Sequence, residues 1–291
     1  MPGARRGYTL AEILVALVIL GIIGAALVRL IVTQSRFTET QMSKRNARTV
    51  SRNAMNIMLT DLRMVQDQGG LIAATSDSIT VRVPIAFGLS CGTAGSTTTM
   101  SLLPVDSAMT ALGQYDGWAY RDSTVDSYSY KDASNPIPFN SINNGTTSLC
   151  TTGANINTVT YNGRPGRVVQ VNDSPSGTPN AGWPVFVYQT ITYQFGASSA
   201  FSGRVGLYRK VKTSPPNGVV DEIIAPFDTS ARFRFYVLNE DTAQTAVPAD
   251  LNRVRGLQLY LAGSSPRVPQ GGAAAQAALV TGVFFKNRRD P

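Results

Sequence analysis

Apolar positions run without a charged residue from Ile13 to Val28 and, with Arg29 as the one interruption, on to Val32. A run that is apolar on every side fits a membrane better than the face of an amphipathic core helix. A polar stretch from Thr33 to Arg48 follows. Ala47, Val50, Ala54, Ile57, Met58, Leu62 and Val65 then recur at helical spacing, with Asp61 inside the stripe and weakening it. From Tyr8 to Val65 there is no proline, and Gly21 and Gly24 are the only glycines. The spacing therefore predicts one helix over 8–65, about 58 residues and roughly 87 Å long at 1.5 Å per residue. Its polar middle stays solvated, its last part packs on a folded head, and Gly69-Gly70 stops it.

Beyond the glycines the period changes. Short β-branched and aromatic runs, separated by turn residues, predict strands near Ser78–Val83, Arg167–Val171, Val185–Phe195, Val205–Val211, Arg232–Leu238, Val254–Ala262 and Leu279–Lys286. The section at about 90–182 is rich in Ser, Thr, Gly, Asn and Pro and reads as a loop-rich insertion. The fold class expected is α+β, a long N-terminal helix packed on an antiparallel β-sheet head.

Composition narrows the chemistry. The 291 residues contain no histidine, which removes the commonest general base and metal ligand and excludes a Ser-His-Asp triad. Two cysteines, Cys91 and Cys150, cannot build a four-ligand zinc site from His and Cys. In an exported chain they suggest one disulfide, closing a loop of about 59 residues, which contributes about 4 kcal/mol in the chain-entropy model; two unpaired thiols are the alternative. No calcium-loop spacing surrounds Asp116 or Asp221-Glu222, and a calcium site is not expected. No enzyme and no cofactor is expected. Charged residues make up only 15% of the chain, and the formal charge is +8. Cationic side chains gather at Arg5-Arg6, at Lys44, Arg45, Arg48 and Arg52, and at Lys286, Arg288 and Arg289. Attraction to anionic lipid accounts for these clusters, with DNA binding the second reading.

Three ordinary readings of the N-terminus fail on one residue. A secretory signal would have a basic start and a small-residue site such as Gly24-Ala25-Ala26. A plain anchor would have to include Arg29 to reach the roughly 20 residues of a span. A buried core helix would show an amphipathic period. None of these explains Glu12, since a carboxylate in a membrane segment costs roughly 2.5–3.5 kcal/mol on insertion scales and by default has a functional partner.

The stretch Arg5-Arg6-Gly7, then Tyr8-Thr9-Leu10-Ala11-Glu12, then the apolar run, resembles the prepilin signature of type IV pilin-like proteins. The resemblance implies cleavage after Gly7 by a prepilin peptidase and N-methylation of the new amino group on Tyr8. It further implies that Glu12 of an incoming subunit attracts the Tyr8 amine of a neighbour during assembly. Tyr8 departs from the usual Phe but keeps an aromatic. The implied organisation is a leader over 1–7, a transmembrane and assembly helix over 8–32, its continuation over 33–65, and a periplasmic head over 66–291. The implied location is the inner membrane, then the pilus or cell surface. The implied partners are other minor and major pilins, an inner-membrane assembly platform and membrane lipid.

In the second half, ITYQF, GLYRKV, VVDEIIAPFDTSARFRFYVL, DLNRVRGLQLYLAGSS and ALVTGVFFKNR follow one another between Tyr188 and Asn287. Their order, with an acidic turn between the Leu-Tyr-Arg strand and the strand of alternating Phe, resembles the PilW-like minor pilins and, more loosely, the J-type pseudopilin of type II secretion. That resemblance implies a minor pilin, alternatively a minor pseudopilin. A DNA-uptake or adhesive pilin, whose head binds DNA or surface ligands, is a third reading.

Overall fold

The computed structural model describes residues 9–106, 115–122, 124, 127–132, 141–144, 150, 160–172, 178–212, 220–238, 240–268 and 272–286. Helix α1 spans Leu10–Leu62, 53 residues, or roughly 80 Å at 1.5 Å per residue. It ends before Val65, the limit expected from periodicity. The Met64 and Val65 amides donate to the carbonyls three residues back, of Asp61 (3.0 Å) and Leu62 (3.3 Å), which tightens the chain out of the α-helical path. Gly69-Gly70 lies in the turn that follows, where Gln68 and Gly69 take left-handed φ values of 53° and 78°. The buried stripe of α1 is Ser43, Ala47, Ser51, Ala54, Met58 and Leu62. Val50 is only half-buried and Ile57 is exposed, both off the line of contact.

Fifteen strands follow among the described residues: β1 (Leu71–Ala74), β2 (Ser78–Ala94), β3 (Thr97–Leu102), β4 (Gly117–Asp122), β5 (Ser127–Asp132), β6 (Ser141–Asn144), β7 (Thr160–Tyr161), β8 (Arg164–Pro165), β9 (Arg167–Asn172), β10 (Pro184–Ala197), β11 (Val205–Val211), β12 (Val220–Phe227), β13 (Arg232–Val237), β14 (Val254–Ser264) and β15 (Gln276–Phe284). Thirteen of them join one sheet, in the order β13-β14-β12-β11-β10-β2-β3-β9-β6. β1 lies beside β2, β15 beside β14, β4 beside β10 and β5 beside β4; β7 and β8 pair separately. Neighbouring strands run antiparallel. The α+β class is as expected.

Two long strands carry the chain between two cores. Val81 and Val83 of β2, with Ile191, Tyr193 and Phe195 of β10, pack under α1 against Met58 and Leu62. Beyond a register shift at Val187/Tyr188, opposite Pro84 and Ala86, the same two strands enter a second core with Met100, Leu102, Trp118 and Val169. The strand expected from the sequence ends at Val83, before Pro84. Here the shift absorbs the ladder position that Pro84 cannot fill, and β2 runs on to Ala94.

This corrects the expectation for 90–182. Among its described residues the insertion is strand-rich: β3, β4, β5, β6 and β9 all extend the sheet. Thr97–Leu102 reads as a polar loop in isolation, yet Thr98 and Ser101 are buried between β2 and β9. A Ser/Thr-rich segment becomes a strand when both neighbours complete its ladder, because cross-strand pairing outweighs intrinsic preference. A second correction concerns Asp221-Glu222. They do not form a turn but sit in β12, where Glu222 accepts hydrogen bonds from the Ser198 and Ser199 hydroxyls. The β1 strand was likewise not read from the sequence.

Candidate functional site

The N-terminal part of α1 stands clear of the head. No residue from Leu10 to Val32 is buried, and Leu10 and Leu20 are 82% and 71% exposed. It is the one helix among the described residues long and apolar enough to cross a membrane. The helix opens with a capping box. Thr9 is the N-cap, its hydroxyl accepts from the Glu12 amide (3.3 Å), and the Glu12 carboxylate accepts from the Thr9 amide (2.9 Å) and hydroxyl (3.1 Å). Glu12 therefore satisfies the first helical turn and aligns with its positive end. Its flank toward the chain body is entirely apolar, formed by Ile13, Ala16, Leu17 and Leu20. Gly7 and Tyr8, the residues expected at the processing site, lie outside the described residues, as do Arg5, Arg6, Arg288 and Arg289.

Farther along, Lys44, Arg45, Arg48 and Arg52 are all exposed, outside the buried stripe of α1. The opposite side meets the sheet at very close range. A Cβ on Gly263 would lie 2.2 Å from the Ala47 carbonyl oxygen and 2.4 Å from Ser51 Oγ, so only glycine admits the contact. The Gly263 amide donates to Ser51 Oγ (2.9 Å), and that hydroxyl lies 3.0 Å from the carbonyl oxygens of both Leu261 and Ala277. Asp61, which weakened the stripe in the sequence, is held by the Tyr193 hydroxyl (2.6 Å) and Arg209 Nη2 (3.0 Å). Burial, together with the Asp61 charge, pushes the Tyr193 hydroxyl well above the usual phenol range.

Cys91 and Cys150 are bonded to each other, with Cα atoms 5.0 Å apart and Val168 packed beside them. The bond ties β2 to the residue at 150 in the insertion. A second tie has no local signal in the sequence. Arg82 of β2 donates to the Gly69 carbonyl and to both carboxylate oxygens of Asp132, and Tyr188 donates to Asp132 (2.7 Å). The Arg82 guanidinium also lies over the Tyr130 ring, 4.5 Å from its centroid. Partial burial pushes the Asp132 carboxyl up, but the hydrogen bonds from Arg82 and Tyr188 outweigh it and hold the group below the usual carboxylate range. Asp116 goes the other way: burial raises it, only partly offset by the Thr190 amide at 2.7 Å. No grouping of three His, Cys, Asp or Glu suited to a metal occurs among the described residues.

Residues 3–28 match the family model for the prokaryotic N-terminal methylation motif. No curated protein and no solved structure matches the chain. The motif supports a type IV pilin-like or pseudopilin role, a structural subunit rather than an enzyme. It implies prepilin peptidase processing and the company of other pilins, and the apolar helix is consistent with membrane anchoring.

Proposed function

We propose that this chain is a minor pilin, a structural subunit that takes part in assembling or priming a type IV pilus. The observation that carries the reading is the coincidence of the methylation motif over 3–28 with a helix whose apolar first half finds no cover in its own fold. Apolar area of that extent, left bare, calls for lipid or neighbouring helices. On this reading residues 1–7 are a leader removed after Gly7, Tyr8 becomes the N-methylated terminus, 8–32 spans the inner membrane, 33–65 continues the helix, and 66–291 forms a periplasmic head.

In the mature subunit Glu12 has two roles. Within the chain it caps α1. Between chains it draws the cationic Tyr8 amine of a neighbour, since a charge in low dielectric is costly alone and much less so when paired. The order of segments between Tyr188 and Asn287 favours the PilW-like subfamily. The pseudopilin of a type II secretion system uses the same extraction chemistry and is separated from it by the partners recovered with the protein.

Mass spectrometry of the N-terminus, from membranes and from a sheared surface fraction, tests the proposal. Wild type is expected to begin at methylated Tyr8, and Gly7→Leu to keep its leader. Glu12→Ala is expected to be cleaved but to fall in the sheared-to-membrane ratio relative to wild type. Normal processing of Gly7→Leu overturns the site. An unchanged ratio for Glu12→Ala overturns the assembly role.

A further inference from the structure

The outer face of β13, β14 and β15 has a chemistry that neither filament assembly nor anchoring uses. Register places Arg232 beside Tyr260 and Val280, Arg234 beside Gln258 and Gly282, and Tyr236 beside Gly256 and Phe284, so each trio shares one face of the sheet. The alternate residues, among them Phe233, Phe235, Leu257 and Leu259, point inward to the core that includes Met58 and Leu62 of α1. The outer face therefore looks away from the helix and from whatever covers the helix.

Two guanidiniums lie over three aromatic rings on this face, with Arg232 beside Tyr260 by register. Arg234 sits over Tyr260, 5.4 Å from its centroid, and Arg255 over Phe284 at 5.4 Å and Tyr236 at 6.0 Å. The Tyr236 and Phe284 rings pair at 5.0 Å, inclined by 35°. They lie low over the sheet because of the two glycines: a Cβ on Gly282 would meet the Tyr236 ring at 3.4 Å, and one on Gly256 would meet Phe284 at 2.9 Å. The result is an aromatic ledge whose outer member, Phe284, is 55% exposed; Val280, four residues earlier on the same face of β15, is 50% exposed.

The charge on the face is of one sign. None of the three strands contains Asp or Glu. Carboxylates stand only at the margins. Asp228 is engaged by Ser230 and Gln276, and Asp241 meets Arg255 at 3.3 Å with its own side chain 98% exposed. That ion pair is open to water and weak; Arg255 is held instead by the bond from its Nη2 to the Glu240 carbonyl (2.6 Å). Arg232 and Arg234 are two positions apart on one strand, about 6.8 Å, and their described hydrogen bonds are the Arg232 Nε bond to the Ser230 carbonyl and a 3.5 Å contact from Arg234 Nη1 to Gln258.

We propose that this face binds single-stranded nucleic acid, with Arg232 and Arg234 on consecutive phosphates and the Tyr236–Phe284 ledge stacking an unpaired base. Cationic side chains interleaved with an exposed aromatic ledge recognise a chain that offers both phosphates and free base faces. A duplex hides its base faces, and a sulfated or phosphorylated polymer without bases leaves the ledge unused. The inference is independent of how the N-terminus is processed.

The test uses the full chain in detergent micelles and a fluorescein-labelled oligothymidylate of about 15 nucleotides, with anisotropy read across a series of salt concentrations. An abasic deoxyribose-phosphate oligomer of equal length and a duplex are the comparison probes. The expected result is affinity falling with salt and at least about tenfold weaker binding of the abasic probe and the duplex. Phe284→Ala and Arg234→Gln are each expected to weaken the thymidylate by about fivefold to tenfold. Val280→Asp, at a half-exposed site outside the core, keeps the test valid if either variant fails to fold, and it is expected to weaken binding through repulsion of the phosphates. Absence of binding at low salt, equal affinity for the abasic probe, or variants that bind as wild type would each overturn the proposal. The last outcome would move any binding to the exposed cationic cluster at Lys44–Arg52.

Discussion

One helix carries two opposite solutions to the same problem. From Leu10 to Val32 it is rich in Leu, Ile and Val, and none of them is buried. From Ser43 to Leu62 its buried positions are two serines, two alanines, one methionine and one leucine, and the sheet lies directly against them. Large apolar side chains cover area only when something comes to meet them. Small ones let a backbone approach until hydrogen bonds join the two elements, as Ser51 does with Gly263. Hydrophobicity along a chain is thus a record of what the segment must meet, and the fold of the same chain need not supply it.

The sharpest way to break the comparison is to place the same bulk on both halves. Gly263→Leu drives a side chain into the Ala47 backbone and is expected to cost more than about 4 kcal/mol, leaving no cooperative unfolding of the head. Gly21→Leu and Gly24→Leu meet nothing within 4 Å and are expected to leave that transition in place. Near-UV circular dichroism during thermal melting of the full chain in micelles reads both; equal losses would erase the distinction.

Truncation gives the next effect. Met58 is fully buried, and Met58→Ala is expected to cost about 2–5 kcal/mol. Leu20→Ala, from the exposed half, is expected to leave the melting temperature of the head unchanged. A drop for Leu20→Ala comparable to that of Met58→Ala would show that the first half also touches the head.

A smaller contrast isolates one hydroxyl. Ser51→Ala removes the acceptor for the buried Gly263 amide and is expected to cost about 1–3 kcal/mol. Thr33→Ala removes only a bond to the Arg29 carbonyl on the bare half, and denaturant midpoints of the head are expected to coincide with wild type. If Ser51→Ala melts with wild type, the hydroxyl does not join helix and sheet.

The smallest effect depends on pH and lies where the clad half hands over to the sheet. The folded-state pKa of Asp132 is depressed, so its ionised form stabilises the fold above the unfolded value of about 3.9, and this contribution disappears as pH falls through the lower folded value. Asp116 has the reverse sign: its raised carboxyl disfavours the fold when ionised, and that cost is relieved as pH falls. Asp132→Asn is therefore expected to lose under about 1 kcal/mol at neutral pH, its side chain being half exposed. The difference from wild type should shrink toward about pH 2. Melting temperatures at the two pH values check it, and a difference constant with pH would assign the loss to shape rather than charge.

Much of this was legible in the residues, because the signals are local. The apolar run, the absence of proline to Val65 and the spacing of Ala47, Ala54, Met58 and Leu62 specify α1 by period alone. The β-branched and aromatic alternation at Val185–Phe195, Val205–Val211, Arg232–Leu238 and Val254–Ala262 specifies β10, β11, β13 and β14 to within a few residues. The methylation motif is likewise written in contiguous residues, and Glu12 stood out because a carboxylate has no business in an apolar run without a partner.

Only the tertiary structure decided the rest. Thr97–Leu102 and Val220–Phe227 each pair with a strand close in the chain, β2 and β11, but their second neighbours, β9 and β14, lie far along it, and no local pattern encodes that. Asp61 turned from a flaw in a stripe into the acceptor for Tyr193 and Arg209, residues more than a hundred positions away. Arg232 and Arg234 are far in sequence from Arg255, and register, with the irregularity at Val254–Gly256, brings all three to one face with Tyr236, Tyr260 and Phe284. Period fixes which way a residue points along its own element. What it meets there depends on which strands lie side by side, and that is chosen by the packing of the whole sheet.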